Sequence, residues 1–245
     1  MKHTQGRLAN ASILLTQPQS NMNPPIPLPT PSGRTLTQLT NTWKLTALLY
    51  DLWRVRSLSL LTGQPFSLER ELNLMLEWTQ PKALERWLDV GTSTGNYARA
   101  LSTSGAQVIA LDFSGPMLEV AHSKSEAKSS SHIIYRQDFL ENLTFENSEG
   151  PFDGIAVGAT LNEFWDTQVA LERMAHLLKP GGRLFMMYLT ESKTSLGRLI
   201  QSPLAASGVR FPLRQTVKET LERHGMHYAR GEQHGVVVLE LYLKI

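Results

Sequence analysis

Between residues 86 and 188 short apolar runs alternate with helical patterns, and this rhythm restricts the fold more than any other feature of the chain. Arg86-Trp87-Leu88-Asp89-Val90 has the length of a buried strand. A glycine turn follows, then a helical pattern through Ala98, Leu101 and Ser102. Gln107–Asp112 predicts a second strand. Pro116, whose missing N–H costs nothing in a first helical turn, precedes Met117, Leu118, Val120 and Ala121 at a helix start. Ile133–Arg136 and Phe152–Gly158 predict a third and a fourth strand, and a helix is expected from about Thr167 to Leu178. Lys179-Pro180-Gly181-Gly182 reads as a stop signal before a fifth strand, Arg183–Tyr188. Strands alternating with helices imply βαβ units and therefore a parallel sheet.

The flanks differ. From Leu36 to Thr79 apolar residues (Trp43, Leu45, Leu48, Leu49, Leu52, Trp53, Leu58, Leu61) recur at helical spacing. Gly63-Gln64-Pro65 interrupts the run, Ser67 reads as a helix N-cap and Pro81 ends the second helix. Residues 190–213 carry Gly197, Pro203, Gly208 and Pro212 and read as an inserted cap or loop. A helix from about Gln215 to His224 and two strands joined at His234-Gly235 close the pattern as an antiparallel edge. Residues 1–33, with Pro24, Pro25, Pro27, Pro29 and Pro31, read as a disordered tail, because each proline fixes φ and lacks a donor. The expected organisation is a tail (1–33) and one domain (34–245): helical cap 34–80, core 81–189, substrate-cap insertion 190–213, and helix with strand pair 214–245.

Charge and composition exclude several functions. The absence of cysteine removes disulfides, thiolate metal sites and cysteine nucleophiles, and suits a reducing, cytoplasmic setting. Residues 1–50 hold Lys2, Arg7, Arg34 and Lys44 and no acid; the remaining 20 basic and 22 acidic residues leave a slightly acidic body, unlike a nucleic-acid enzyme with its basic groove. No run reaches the ~18 apolar residues of a membrane span. Ala11–Leu15 is too short for a signal-peptide core of ~7–15 residues. The acid-free tail leaves open organelle targeting or peripheral contact with an anionic membrane, against the plainer reading of an untethered segment. Oligomeric state is not legible in the sequence.

The chemistry concentrates at Leu88–Leu101. A helix N-terminus offers unpaired N–H groups and partial positive charge, and Gly91 and Gly95 let backbone approach a ligand. Asp112, 21 residues after Gly91, stands where an acid receives the two ribose hydroxyls of a nucleoside ligand; as an alternative it caps the next helix. Two cofactors fit. A dinucleotide needs G-x-G-x-x-G, whereas Gly91-Thr92-Ser93-Thr94-Gly95-Asn96 spaces its glycines four apart and has no third. The P-loop lysine is also missing. Asp89 would repel a pyrophosphate but can pair with a cationic amino acid; the alternative is that it shapes the turn.

These residues resemble the class I S-adenosylmethionine-dependent methyltransferases, especially the small-molecule group that includes the ubiquinone/menaquinone methyltransferases. The resemblance spans about residues 84–190. Asp89–Gly95 resembles the D-x-G-x-G-x-G loop, Leu111–Leu118 the second motif with its ribose-binding acid, and Gln137-Asp138-Phe139 the third, at the adenine. Phe152–Asn162 resembles the fourth strand and the loop facing the reactive methyl; Leu177–Leu184 resembles the turn into the fifth strand. The resemblance implies a Rossmann-like, seven-stranded, mostly parallel sheet with helices on both faces, the last strand antiparallel, and an N-terminal helical cap. It implies S-adenosylmethionine as cofactor (product S-adenosylhomocysteine), held by Asp89, Gly91, Thr92, Ser93, Gly95, Asp112, Phe113, Met117, Asp138, Phe139, Gly158 and Ala159. Ser93 departs from the pattern, replacing its middle glycine. A serine fits there at negative φ, with its Cβ and hydroxyl narrowing the space for the methionine end.

Substrate recognition is expected from the cap and the insertion, through Tyr50, Trp53 and Phe211, and from Asn162 and Trp165 after the fourth strand, on a small, apolar or aromatic acceptor such as a quinone, phenol or lipid-like metabolite. The apolar side chains of the cap and insertion are each equally readable as ordinary core, and Trp165 as a cover for the core. Asn162 and Glu163 are the catalytic candidates, and Glu163 is also readable as a helix-start carboxylate. No catalytic group is otherwise assigned, because transfer from a sulfonium is downhill and alignment supplies much of the catalysis. The seven histidines show no metal-ligand spacing, and no metal is expected. Asn23-Pro24-Pro25-Ile26 mimics an amino-methyltransferase signature by chance, lying in the tail and lacking the final aromatic residue. A nicotinamide-dependent oxidoreductase and a non-catalytic cofactor-binding or regulatory protein are the alternatives.

Overall fold

The structure, a computed structural model, describes residues 67–126, 132–144 and 151–245. The proline-rich tail and the first helical run, with Tyr50 and Trp53, lie outside the described residues. The described elements are α1 (Leu68–Thr79), β1 (Arg86–Val90), α2 (Asn96–Ser102), β2 (Gln107–Asp112), α3 (Gly115–Glu126), β3 (Ile133–Gln137), β4 (Phe152–Val157), α4 (Thr167–Leu177), β5 (Leu178–Leu189), α5 (Ser195–Ala206), α6 (Arg214–Arg223), β6 (Met226–His234) and β7 (Val237–Lys244). Short 3₁₀ turns follow β3 at Leu140–Asn142 and β4 at Ala159–Glu163.

The strands form one seven-stranded sheet in the order β3-β2-β1-β4-β5-β7-β6. β1 to β5 pair in parallel, and β7 runs antiparallel to both its neighbours. The expected Rossmann-like architecture with a reversed last strand is therefore present. Strand order reverses between β1 and β4, and in open α/β sheets ligands bind outside the carboxyl ends of the strands at such a point.

Alternation along the strands divides the core between two faces. Leu88, Val90, Ile155, Val157, Leu184 and Met186 pack on one face against Leu171 and Met174 of α4 and Val217 and Leu221 of α6. Trp87, Val108, Ala110, Ala156, Phe185 and Met187 pack on the other against Met75 of α1 and Tyr97 and Leu101 of α2. Helix starts follow local chemistry. Ser67 caps α1 by accepting from the Arg70 N–H, and Asp166 caps α4 by accepting from the Gln168 and Val169 N–H groups.

Three expectations are corrected. The helix ends at Leu177, as the Lys179–Gly182 stop signal implies, but the fifth strand starts before that segment and not after it: β5 begins at Leu178, opposite Phe152, and the next pair is Gly154 with Arg183, so the Pro-Gly-Gly segment bulges out of a continuous strand. Residues 190–213 are not mainly loop: Thr194 accepts from the Gly197 N–H and starts the 12-residue α5, which tolerates Pro203 near its end. Glu163 is not a helix-start residue, because it closes a 3₁₀ turn and Asp166 starts α4.

Candidate active site

The loop after β1 alternates left-handed residues: Gly91 at φ 64°, Ser93 at φ 51° and Gly95 at φ 80°. Ser93 does not take the negative φ under which a serine fits this position without strain. An L-residue in this region costs about 1–2 kcal/mol, so it needs compensation. The Ser93 N–H donates to Asp112 Oδ2 at 2.8 Å, and its hydroxyl lies 3.6 Å from Met117 Sδ. Gly91 has a separate reason to lack a side chain: a Cβ there would overlap the Thr160 side chain, which crosses the loop and donates from Oγ1 to the Gly91 carbonyl at 3.1 Å.

Two buried carboxylates fix this loop. Asp89 Oδ2 accepts from Thr92 Oγ1 at 2.5 Å and from the Ala98 N–H at 2.9 Å, tying strand, loop and helix together. Asp112, 7% exposed, accepts the Ser93 N–H on Oδ2 and the Ser114 N–H on Oδ1, both at 2.8 Å. Burial pushes Asp89 up to about 7 and Asp112 up to about 6, against the hydrogen bonds that favour their charged forms. The turn-shaping reading is thus realised in Asp89, whereas α3 is capped by Ser114, whose hydroxyl accepts from the Met117 N–H at 3.4 Å, and Asp112 holds that capping residue through its N–H. Ligand contact stays open to both carboxylates, since a carboxylate oxygen accepts more than one bond.

Beside Asp112 the Phe113 and Phe139 rings lie nearly parallel, 7° apart in plane with centroids at 5.9 Å. Phe139 is 44% exposed, which leaves one face open to a flat ligand. Asp138 orients this turn. Partial burial pushes its carboxyl up, but hydrogen bonds from Asn142, Arg136 and the Phe139 N–H outweigh that and hold it low. Asp89, Gly91, Thr92, Ser93, Gly158 and Ala159 meet around one cleft of about 30 Å³, together with Asn96, Tyr97 and Thr160. Met117 is buried beneath it against Ser93. The sequence reading did not assign Asn96, Tyr97 and Thr160 to the site, although the first two follow the Asp89–Gly95 loop and the third lies within Phe152–Asn162. It also missed Arg99, whose guanidinium bonds the Thr94 carbonyl and Asn96 Oδ1, both at 2.7 Å, and so braces the loop.

The expected acceptor-side residues divide. Asn162, 2% exposed, is a latch: Nδ2 donates to the Leu189 and Arg210 carbonyls at 2.7 and 2.5 Å, and Oδ1 accepts from the Leu189 N–H at 2.8 Å. Its amide joins the loop after β4 to the end of β5 and the segment after α5. Glu163 is half-buried beside it. Trp165 is 57% exposed with the Arg210 guanidinium 5.3 Å over its ring. Phe211 packs against the core on the α1/α2 face. Among the described residues no three His, Asp or Glu side chains gather as a metal site, and no helix is long and apolar enough to cross a membrane.

The donor set suits S-adenosylmethionine. A glycine loop opens toward the point of strand reversal, an acid ends β2, and an aromatic face stands beside that acid. Comparison with known proteins agrees. Residues 88–186 match the family described as a methyltransferase domain. The chain is 34% identical over 140 residues to the ubiquinone biosynthesis O-methyltransferase of Xylella fastidiosa, covering 57% of this chain and 54% of that protein. The structure of YcgJ from Bacillus subtilis superposes with a TM-score of 0.62 at 19% identity, over 72% of this chain and 98% of that one. Magnesium protoporphyrin IX methyltransferase from Synechocystis, with bound S-adenosylmethionine, gives a TM-score of 0.56 at 15% identity, over 72% and 79% of the two chains. The chain spans about half the length of the curated relatives it matches.

Proposed function

We propose that this chain, which carries a methyltransferase-domain match over residues 88–186 and the fold of such enzymes, is a class I S-adenosylmethionine-dependent methyltransferase that transfers the cofactor's methyl group to a small apolar or aromatic acceptor of the quinone or phenol type. The single observation that carries the reading is the Asp112 junction, where one buried carboxylate holds the glycine loop through Ser93 and the next turn through Ser114. S-adenosylmethionine supplies an activated methyl on a sulfonium when bound. The remaining work belongs to this chain. Asp112 accepts the ribose hydroxyls on its remaining lone pairs, and Phe113 and Phe139 cover the base. Asp89 and the left-handed loop enclose the amino acid end. Gly158 and Ala159, at the carboxyl end of β4, flank the approach of the acceptor, and Asn162 holds that approach rigid. Trp165 and Phe211 offer apolar surface to the acceptor, a role the sequence reading also gives to Tyr50 and Trp53, which lie outside the described residues, and Glu163 is the proposed recipient of a proton from an acceptor hydroxyl.

Quinone-type acceptors are favoured because the Xylella relative is named for ubiquinone biosynthesis. A cytoplasmic location accords with the absence of cysteine. Neither a nicotinamide oxidoreductase nor a non-catalytic relative gains an observation in its favour from the fold or the relatives.

The test is calorimetric titration with S-adenosylmethionine, followed by methyl-transfer assays on a panel of quinols and catechols. Saturable binding by the wild type is expected, weakened by more than about a hundredfold in Asp112→Ala, because both lost charge-assisted bonds and a loosened loop act together. Absence of heat and of thermal shift at millimolar cofactor would sink the reading.

A further inference from the structure

A second cavity, of about 670 Å³, lies on the β5–β7–β6 side of the sheet, bounded by the segment after β5, by α5 and by the start of α6. Its size is that of a metabolite site, but its wall is basic. Lys193, Arg198, Arg214 and Lys218 line it, against Glu191 and Glu240. Glu240 is already neutralised. It is 1% exposed, accepts Arg214 Nε at 2.6 Å and accepts the hydroxyls of Tyr188 and Tyr242 at 3.0 and 3.1 Å. Glu191 is exposed at the rim. The wall therefore presents a surplus of positive charge in a concave space, where the field on a ligand is strongest.

The cations are also arranged. Glu240 and the Tyr228 hydroxyl, at 3.2 Å from Nη2, hold the Arg214 guanidinium by two of its three nitrogens, and Nη1 has no partner among the described residues. Lys218, one turn along α6, lies 5.8 Å over the same Tyr228 ring. Its ion pair with Glu222 is long, at 3.7 Å. Arg198 Nη1 reaches the Ser192 and Lys193 carbonyls at 3.4 Å each, which leaves the other guanidinium nitrogens unbonded among the described residues. α6 begins at this wall without a side-chain cap, so its first N–H groups add partial positive charge. A guanidinium fixed by a buried carboxylate, with one edge unused, is preorganised to take paired anionic oxygens.

We propose that this cavity binds a small molecule carrying two or more anionic oxygens, as a phosphate ester or a polycarboxylate, at a site separate from the cofactor cleft. The two share no lining residue.

The test is calorimetry on the full chain at low salt, with pyrophosphate and with citrate as probes. Saturable binding of at least one probe is expected, and which one binds identifies the phosphate or carboxylate class. The Arg198→Ala/Lys218→Ala double variant should raise Kd at least about tenfold, while Lys82→Ala, an exposed cation elsewhere, should leave it unchanged. Unchanged melting temperature and S-adenosylmethionine affinity in the double variant keep this result apart from the fate of the methyltransferase reading. Failure of both probes to bind at about ten millimolar, or equal binding by the double variant and the wild type, overturns the proposal.

Discussion

The two halves of the sheet's carboxyl end are built on opposite electrostatic plans. On the β1–β2–β3 side, two carboxylates are buried at the loops, and a cleft of only about 30 Å³ opens beside Asp89 and the glycine loop. On the β5–β7–β6 side one buried carboxylate, Glu240, anchors an arginine in the wall of a much larger cavity, and the surplus charge is positive. In the first half buried acids organise backbone N–H groups. In the second a buried acid organises side chains. Buried charge can thus shape a loop or aim a cation, and the sign presented to a ligand depends on which it does.

Three measurements sharpen or break this contrast. The largest effect is expected from Glu240→Gln, which should cost about 2–3 kcal/mol of stability by leaving Arg214 without its counter-charge. Denaturant unfolding would read the loss, and calorimetry should find cofactor affinity unaltered. Equal damage to cofactor binding would mean that the halves are not separable.

The next is pH. Asp89 and Asp112 have folded-state values raised to about 7 and about 6, so the native state holds their protons more tightly than the unfolded chain does. Their contribution to stability is fully present below about pH 4 and is lost as pH rises through 6 and 7. A cationic ligand favours the ionised forms. S-adenosylmethionine should therefore bind about tenfold more tightly at pH 7.5 than at pH 5.5, releasing protons as it does. Titrations in buffers of different ionisation enthalpy would detect that release, and a flat profile would show that the buried acids do not sense the ligand.

The smallest effect is expected from Ser93→Gly. Relief of the left-handed serine should stabilise the protein by about 1 kcal/mol, less the entropy of a more flexible unfolded chain. A thermal melt that falls instead would show that the Ser93 hydroxyl, at Met117 Sδ, outweighs the backbone strain.

The contrast also marks where sequence reading succeeds. β1, β2 and the loop between Val90 and Asn96 were legible because strand length, glycine position and the spacing to Asp112 are local quantities. The conformation of Ser93 was not, since its φ is held by an acid 19 positions away. Thr160 closes on Gly91 across 69 positions, and Asn162 reaches Leu189 across 27. The far half was less legible still. Glycines and prolines between 190 and 213 suggested a cap or loop without showing the helix that Thr194 starts there. The apolar lining expected of the cap and insertion has, in the insertion's part of the wall, a basic counterpart assembled from β5's end, α5, α6, β6 and β7. No window of sequence contains that combination of charges.

The reversed strand β7 has a consequence for synthesis. It enters the sheet between β5 and β6, so the outer edge of β5, with Leu184-Phe185-Met186-Met187-Tyr188-Leu189, has no partner until residues 190–244 have been made. At about 5–20 residues per second those 55 residues take roughly 3–11 s to emerge. Throughout that interval the nascent chain carries an apolar, uncharged strand edge able to pair with another copy. Yield should therefore respond to translation speed and chaperone supply through this one segment, and slow codons after Leu189 would lengthen the exposure.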